Sequence, residues 1–413
     1  MTAAHGLEFY QNALIVLAIA GIVVPIMHRI NVTPVLGYLG AGAALGPKGL
    51  GALSTLLPPL GYVTITDEAD LANLAELGIV FLLFLVGLEL STERLITMRR
   101  LVFGLGGLQL LVSAAAIGLI APLFGNAPAA SLLIGLSLAL SSTAVVLEWL
   151  SQEKKLATGM GRAAFAVLLL QDLAVVPILI VAGMVGPKTG DELPGGVGMA
   201  LLQAAGMLAL IILVGRVVLR PLFRLVSLAQ SAELFMAATL LVAIGSGVLT
   251  ALAGLSMALG GFVAGLLLAE TEYRRAIAAT IEPFKGLLLG VFFVSIGMRI
   301  DLVAIAQQPL YVLACAAGLV ALKAAIVVPL GQAFGLTRAA AIELGLLLGP
   351  GGEFAFIVIG IAAGKGLMAP PVAGVMLAVV ALTMAAVPAL GRLGERIAHH
   401  LTPAQPLPAA LLE

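Results

Sequence analysis

The feature that most constrains this fold is a succession of apolar segments, most of them about twenty residues long, separated by short polar connections. Apolar residues make up 61% of the 413 residues and charged residues only 10%, which is too little charge for the surface of a soluble domain. Inside a bilayer each backbone group must find a partner within its own segment, so such stretches form helices. The sequence predicts an all-α polytopic membrane protein with no sizeable soluble domain.

Apolar runs bounded by charge, Pro or Gly predict thirteen transmembrane helices. They lie near 8–28, 33–46, 71–91, 100–122, 130–150, 159–184, 197–219, 232–253, 256–271, 278–298, 308–331, 338–363 and 369–391. This count places sixteen of the 21 Lys and Arg residues on one side of the membrane, four on the other and Lys323 inside a helix. The asymmetry predicts a multi-pass protein of the bacterial inner membrane, with its N-terminus outside and its C-terminus in the cytoplasm.

A carboxylate lies near the middle of the sixth predicted helix. Asp172 follows Gln171 in the apolar run FAVLLLQDLAVVPILIVA, residues 165–182. An aspartate at this depth costs roughly 2.5–3.5 kcal/mol on insertion scales, so it should face the protein interior or a water-filled cavity. Asp172 is therefore interpreted as a transport carboxylate, with a structural hydrogen-bond acceptor between packed helices as the alternative.

Two predicted helices contain residues that interrupt a helix near its middle. The fifth carries Ser141, Ser142 and Thr143, and the twelfth carries the run Gly349, Pro350, Gly351 and Gly352. Paired interruptions in helices of opposite direction are typical of inverted-repeat transporters, whose site lies where the broken helices meet. We therefore divide the transmembrane domain, residues 1–396, into a repeat over about 8–184, a connector at 197–219 and an inverted repeat over about 232–391. A Pro-rich cytoplasmic tail at 397–413 follows this domain.

Two further ionisable residues lie at membrane depth. Lys323 is close to the middle of the eleventh helix and needs a partner, for which Asp172 is the obvious candidate; the alternative is a cation that stabilises the ends of the broken helices. Glu353 directly follows the glycine break, so it either lies beside the site or caps the second half-helix.

The sequence resembles the monovalent cation:proton antiporter-2 family, and within it the Kef-type potassium efflux antiporters. The similar stretches are collinear over nearly the whole chain: PVLGYLGAGAALGPKGLG, AELGIVFLLFLVGLEL, LSLALSSTAVVLEWL, GRAAFAVLLLQDLAVVPILI, LSMALGGFVAGLLLAETEYRRAI, IEPFKGLLLGVFFVSIGMRID and LLLGPGGEFAFIVIG. The resemblance implies an inverted-repeat antiporter fold with crossed, discontinuous helices 5 and 12, core and dimerisation subdomains, and a homodimer.

The resemblance also implies roles for individual residues. Asp172 would bind cation and proton in turn, Gln171 matches the first member of the Gln-Asp pair, and Ser141, Ser142 and Thr143 match the unwound segment that lines the site. Lys323 occupies the place of a basic residue that pairs with the transport aspartates in related antiporters.

Three departures from the Kef pattern are visible in the sequence. The loop before IEPFKG reads YRRAIAAT, without the acids of the Kef pattern, and the helix-12 break reads Gly-Pro-Gly-Gly-Glu instead of Gly-Gln-Gly-Ser-Glu. No nucleotide-binding domain follows helix 13. Gating by glutathione and NAD is therefore not expected, unless the sequence is truncated.

The expected function is secondary antiport of a monovalent cation, K⁺ in preference to Na⁺, for protons, without a cofactor. The expected partners are membrane lipid, the two ions and a second copy of the chain, and a net charge of zero argues against nucleic acid. One alternative is a ligand-gated, channel-like potassium efflux system. The other, an intramembrane enzyme, is disfavoured because Asp172 is the only Asp predicted at membrane depth and no HExxH motif occurs.

Overall fold

The structure is a computed structural model that describes residues 3–29, 34–54, 57–65, 68–90, 92–185, 195–228, 231–252, 256–300 and 302–401. Its α-helices are α1 (Ala3–Ala18), α2 (Val24–Arg29), α3 (Pro34–Leu45), α4 (Glu68–Glu89), α5 (Thr92–Thr97), α6 (Gly107–Ile120), α7 (Pro128–Ala139), α8 (Thr143–Gln152), α9 (Gly159–Met184), α10 (Gly195–Leu228), α11 (Ala232–Leu252), α12 (Met257–Ala269), α13 (Arg274–Arg299), α14 (Leu302–Gln307), α15 (Pro309–Ala333), α16 (Arg338–Leu348), α17 (Glu353–Gly364) and α18 (Pro370–Leu401). π-Helical turns at Ile19–Val23 and Arg100–Gly106 continue into α2 and α6.

The described residues are all-helical and contain no strand, as the sequence predicted. Helix is found in each of the thirteen predicted ranges. Within the described ranges, six helical stretches are long and apolar enough to cross a bilayer, or eight if each of two bent helix pairs is one span. The exact count of thirteen spans stays a prediction. Helix α18 continues to Leu401, ten residues beyond the predicted end at 391, and residues 402–413 of the predicted tail lie outside the described residues.

Both predicted interruptions are present. Helix α7 ends at Ala139 and α8 begins at Thr143, and α16 ends at Leu348 and α17 begins at Glu353. The second pair of half-helices is bent by 41° at its break. Proline and glycine explain this break, because Pro350 has no N–H for an intrahelical hydrogen bond and glycine costs about 1 kcal/mol against alanine in a helix.

The helices pack in two groups. Helices α3, α4, α11, α12 and α13 form one group, and α6 to α9 with α15 to α18 form the other. Small residues allow close approach in the first group: a methyl group at Gly42 would lie 2.2 Å from the carbonyl oxygen of Val294. This agrees with the interpretation of the glycines in the second predicted helix as packing residues. Helix α9 packs within its own group and also contacts α10 and α12, so it lies where the two groups meet.

An ion-pair cluster joins two helices of the second group to the connection before α9. Lys155, in the connection between α8 and α9, lies 2.5 Å from Glu343 of α16 and also pairs with Glu395 of α18. Burial lowers the pKa of Lys155, but the two carboxylates outweigh that effect and its pKa is raised above the ordinary value of 10.5. The cluster holds α16 and α18 against the connection that precedes α9.

Candidate functional site

Helix α9 carries Asp172 at its centre, thirteen residues after Gly159 and twelve before Met184. Thr158 caps its first turn by accepting a hydrogen bond from the N–H of Gly161 at 3.0 Å. Pro177 lies within the helix and has no N–H to donate to the carbonyl of Leu173. The backbone oxygen next to Asp172 is thereby left without its usual helical donor.

Asp172 meets the break between α7 and α8. The Thr143 hydroxyl donates a 2.9 Å hydrogen bond to Asp172 Oδ1, and among the described residues no donor is found on the other carboxylate oxygen. Asp172 and Thr143 are half-buried, and Ala144, the next residue of α8, is exposed. Asp172 is therefore partly exposed instead of being sealed in the core.

Gln171 faces a different set of partners. Its Oε1 accepts a 2.7 Å hydrogen bond from the Ser141 N–H, and its Nε2 donates to Gln109 Oε1 at 2.8 Å. Gln109, on α6, donates in turn to the Ala139 carbonyl at 3.1 Å. Both functional atoms of Gln171 thus hold the helix break in place, and its predicted role as an ion ligand stays a prediction.

Lys323 lies against the ends of the broken helices. Its Nζ donates to Leu140 O at 2.9 Å, Ser141 Oγ at 2.9 Å and Pro350 O at 2.8 Å. Lys323 forms no ion pair with Asp172 in the structure, so the prediction of a Lys323–Asp172 pair was wrong. The physical reason is that α7 and α16 end in carbonyls without helical donors, and a buried ammonium satisfies them while gaining from the negative ends of two helix dipoles.

Glu353 lies at the N-terminal ends of the second half-helices, α8 and α17. It is the first residue of α17, it is 5% exposed, and its Oε1 accepts from the Ala144 N–H of α8 at 3.4 Å. It therefore caps the first turn of the other broken helix, where Ser142 also accepts from the Val145 N–H at 3.3 Å. An anion is favoured there because two helix N-termini converge.

The glycine-rich run brings the two breaks into contact. The Ser141 hydroxyl donates to Leu348 O at 2.7 Å, so the break of α7–α8 is bonded directly to that of α16–α17. A methyl group at Gly352 would lie 2.5 Å from the Ser141 carbonyl oxygen, so this approach requires glycine. Gly351 N–H donates to Thr383 Oγ1 of α18 at 3.1 Å, and Gly349 packs against Val320 of α15.

Sequence reasoning missed two residues of this network. Gln109 is completely buried and Thr383 is 2% exposed, and both supply side-chain partners to backbone groups at or beside the breaks. Each is a polar residue in the middle of an apolar helix. That position is the signal that could have identified them.

The fold and the site together define a multi-pass membrane protein of the transporter class, built around two broken helices that meet beside a half-buried carboxylate. Residues 14–392 match the family described as "Sodium/hydrogen exchanger, transmembrane". The chain belongs to this sodium/hydrogen exchanger family.

Its relatives include named potassium antiporters. The chain is 43% identical over 385 residues to K(+) efflux antiporter 1, chloroplastic, of Arabidopsis thaliana, covering 91% of this chain and 31% of the relative. It is 39% identical over 379 residues to the glutathione-regulated potassium-efflux system protein KefC of Escherichia coli (strain K12), covering 92% and 59%. The chain thus spans about a third to three fifths of the length of these relatives.

A solved structure shares the fold. The sodium proton antiporter MjNhaP1 from Methanocaldococcus jannaschii superposes with a TM-score of 0.66 at 17% identity, covering 95% of this chain and 97% of the other. At this identity the similarity concerns the fold alone.

Proposed function

We propose that the protein exchanges a monovalent cation, K⁺ in preference to Na⁺, for protons by alternating access, with Asp172 binding the cation and the proton in turn. The observation that carries the proposal is the position of Asp172: it is half-buried at the centre of α9, and it is bonded to the helix break through Thr143. The preference for K⁺ follows the names of the relatives, which are potassium efflux proteins.

Competition for one carboxylate is sufficient for coupling. A bare charge on Asp172 is costly to move through the membrane, whereas a protonated or cation-bound carboxylate is not. The site can change sides only when it is loaded, so each cation that crosses in one direction is exchanged for a proton in the other. One proton per cation is the simplest stoichiometry for one carboxylate beside a neutral glutamine.

Neutral oxygens near Asp172 favour a desolvated monovalent cation. The Thr143 hydroxyl contacts the carboxylate. The Leu173 carbonyl has no helical donor, because Pro177 lacks the N–H that would bond to it. Backbone carbonyls and hydroxyls replace the hydration shell of such ions in membrane sites. These two oxygens with the carboxylate would provide part of the coordination.

The arrangement of helices supports alternating access. Asp172 is on α9, which lies in the group formed by α6 to α9 and α15 to α18 and also contacts α10 and α12. Movement of the site-bearing group against the group formed by α3, α4 and α11 to α13 would transfer the site between the two sides. A homodimer, an outside N-terminus and a cytoplasmic C-terminus are part of this proposal.

The test is proton movement in liposomes that contain the purified protein and an internal pH-sensitive dye. Pulses of K⁺ and Na⁺ are expected to produce proton flux in the wild type, stronger with K⁺, and none in Asp172→Asn. Asn is close in size and keeps an acceptor for Thr143, so folding should be retained. Cation-driven proton flux that persists in Asp172→Asn would refute the carboxylate mechanism. Cation leak without proton flux in both proteins would favour a channel.

A further inference from the structure

Glu353 has a carboxylate oxygen that the helix cap does not use. Oε1 accepts from the Ala144 N–H, but Oε2 is buried and has no hydrogen-bond partner within the part of the chain that the structure describes. An unsatisfied buried polar atom is costly, and more so when it belongs to a charged group. Such an atom in a native site indicates that a ligand binds to it.

The surroundings of Glu353 place it in the field of Asp172. Asp172 is bonded to Thr143 and Glu353 to the next residue, Ala144, and α17 packs against α9, so the two carboxylates lie at neighbouring residues of α8. No ion pair is found for either of them among the described residues. The ammonium of Lys323 is bonded instead to the carbonyl ends of α7 and α16. Two carboxylates thus act on the same region without a described cationic partner.

A cap alone does not explain this arrangement. Ser142 already accepts from the first turn of α8, and capping by Glu353 requires only one acceptor oxygen, which a neutral glutamine would also supply. Two converging helix N-termini favour the negative charge of Glu353, but they leave Oε2 without a hydrogen-bond partner among the described residues, so this oxygen is available to a further group.

We propose that Glu353 is a second ion-binding carboxylate, whose Oε2 is satisfied by the transported monovalent cation held jointly with Asp172. The inference rests on the proposed exchange function and adds to it a second anionic group that sets cation affinity. Two carboxylates that act on one cation bind it more tightly than one, because attraction between opposite charges is strong at low dielectric. Glu353 thereby determines affinity, while Asp172 remains the group on which cation and proton compete.

The experiment compares the wild type with Glu353→Gln, Glu353→Asp and the control Glu272→Gln, which removes a carboxylate from the exposed turn between α12 and α13. Two quantities are measured: the K⁺ concentration that gives half-maximal thermal stabilisation of the purified protein, and KM and maximal rate for K⁺ in the liposome assay. The first quantity does not depend on transport.

Glu353→Gln is expected to need about tenfold more K⁺ in both measurements, with a maximal rate within about twofold of the wild type. Glu353→Asp, which keeps the charge, should change the K⁺ requirement less, and Glu272→Gln should not change it.

A K⁺ requirement equal to that of the wild type in Glu353→Gln overturns the inference while leaving the exchange function intact. If Glu353→Gln does not fold, Glu353→Asp decides, because its shorter side chain withdraws the carboxylate from the cation: a K⁺ requirement equal to that of the wild type in Glu353→Asp then overturns the inference. Absence of proton flux in the wild type would refute the exchange function, and the stabilisation measurement would still test K⁺ binding at Glu353.

Discussion

Replacement of Lys323 by methionine tests whether this buried cation serves the helix breaks or Asp172. Lys323 is completely buried on α15, and its Nζ donates to the carbonyls of Leu140 and Pro350 and to the Ser141 hydroxyl. Methionine retains the apolar stem and an unbranched shape but removes all three donors. Lys323→Met therefore leaves two buried carbonyls without partners while it changes the packing little.

The cost of the replacement follows from these contacts. A buried acceptor without a partner costs about 1–3 kcal/mol, so two of them predict a loss of about 2–6 kcal/mol in the free energy of unfolding. Removing the desolvated ammonium recovers part of this, which favours the lower half of the range. A loss of this size lowers the apparent Tm by several degrees.

Thermal unfolding in detergent measures the loss. The chain has a single tryptophan, Trp149, which is 4% exposed on α8 and packs against Gly391 of α18, so its fluorescence reports on the bundle around the breaks. The matched set is wild type, Lys323→Met, Asp172→Asn and the double variant. Because the two residues form no ion pair in the structure, the stability effects should add to within about 0.5 kcal/mol.

Two results would refute this account of Lys323. One is a Lys323→Met protein as stable as the wild type, since the carbonyls would then have no need of the ammonium. The other is a double variant that is clearly more stable than additivity predicts. That result would mean that Asp172 depends on Lys323 as an ion-pair partner.

Three further predictions concern the site and its packing. Thr143→Val removes the donor to Asp172 and should raise KM for K⁺ about tenfold, with Thr143→Ser as the control. An unchanged KM would show that this hydrogen bond does not contribute to K⁺ affinity. Gly352→Ala introduces a methyl group 2.5 Å from the Ser141 carbonyl oxygen and should lower stability by about 1–3 kcal/mol in the same unfolding assay, whereas wild-type stability would show that the breaks do not touch. Lys155→Met should cost about 1–3 kcal/mol, because it leaves two partly buried carboxylates without their cation. Because the folded-state pKa of Lys155 is raised above 10.5, its ion pairs should stabilise the wild type fully below that pH. This stabilisation should be lost as the pH rises through the folded-state pKa, and its loss already near pH 8 would contradict the pairing.

Hydropathy and helix breakers determined the elements of this protein. A chain that is 61% apolar and arranged in runs of span length can satisfy its backbone in a bilayer only as helices, so helix positions were predictable from the sequence. Gly349 to Gly352 marked one break, because proline and glycine act locally on the backbone. The polar residues at 141–143 marked the other. Asp172 stood out because a carboxylate in an apolar membrane helix is energetically costly, which indicates a functional site.

The partners of each polar group were decided only by tertiary structure. Depth along a helix is readable from the sequence, but the direction in which a side chain points depends on how the helices are rotated against one another. Lys323 and Asp172 have similar predicted depths, yet Lys323 is bonded to the ends of α7 and α16, and Asp172 is bonded to Thr143. The same holds for Gln171, which is bonded to Gln109 and the Ser141 backbone because α6 and α9 flank the break. Charge and spacing along one chain do not encode these contacts, since they arise between residues that only packing brings together.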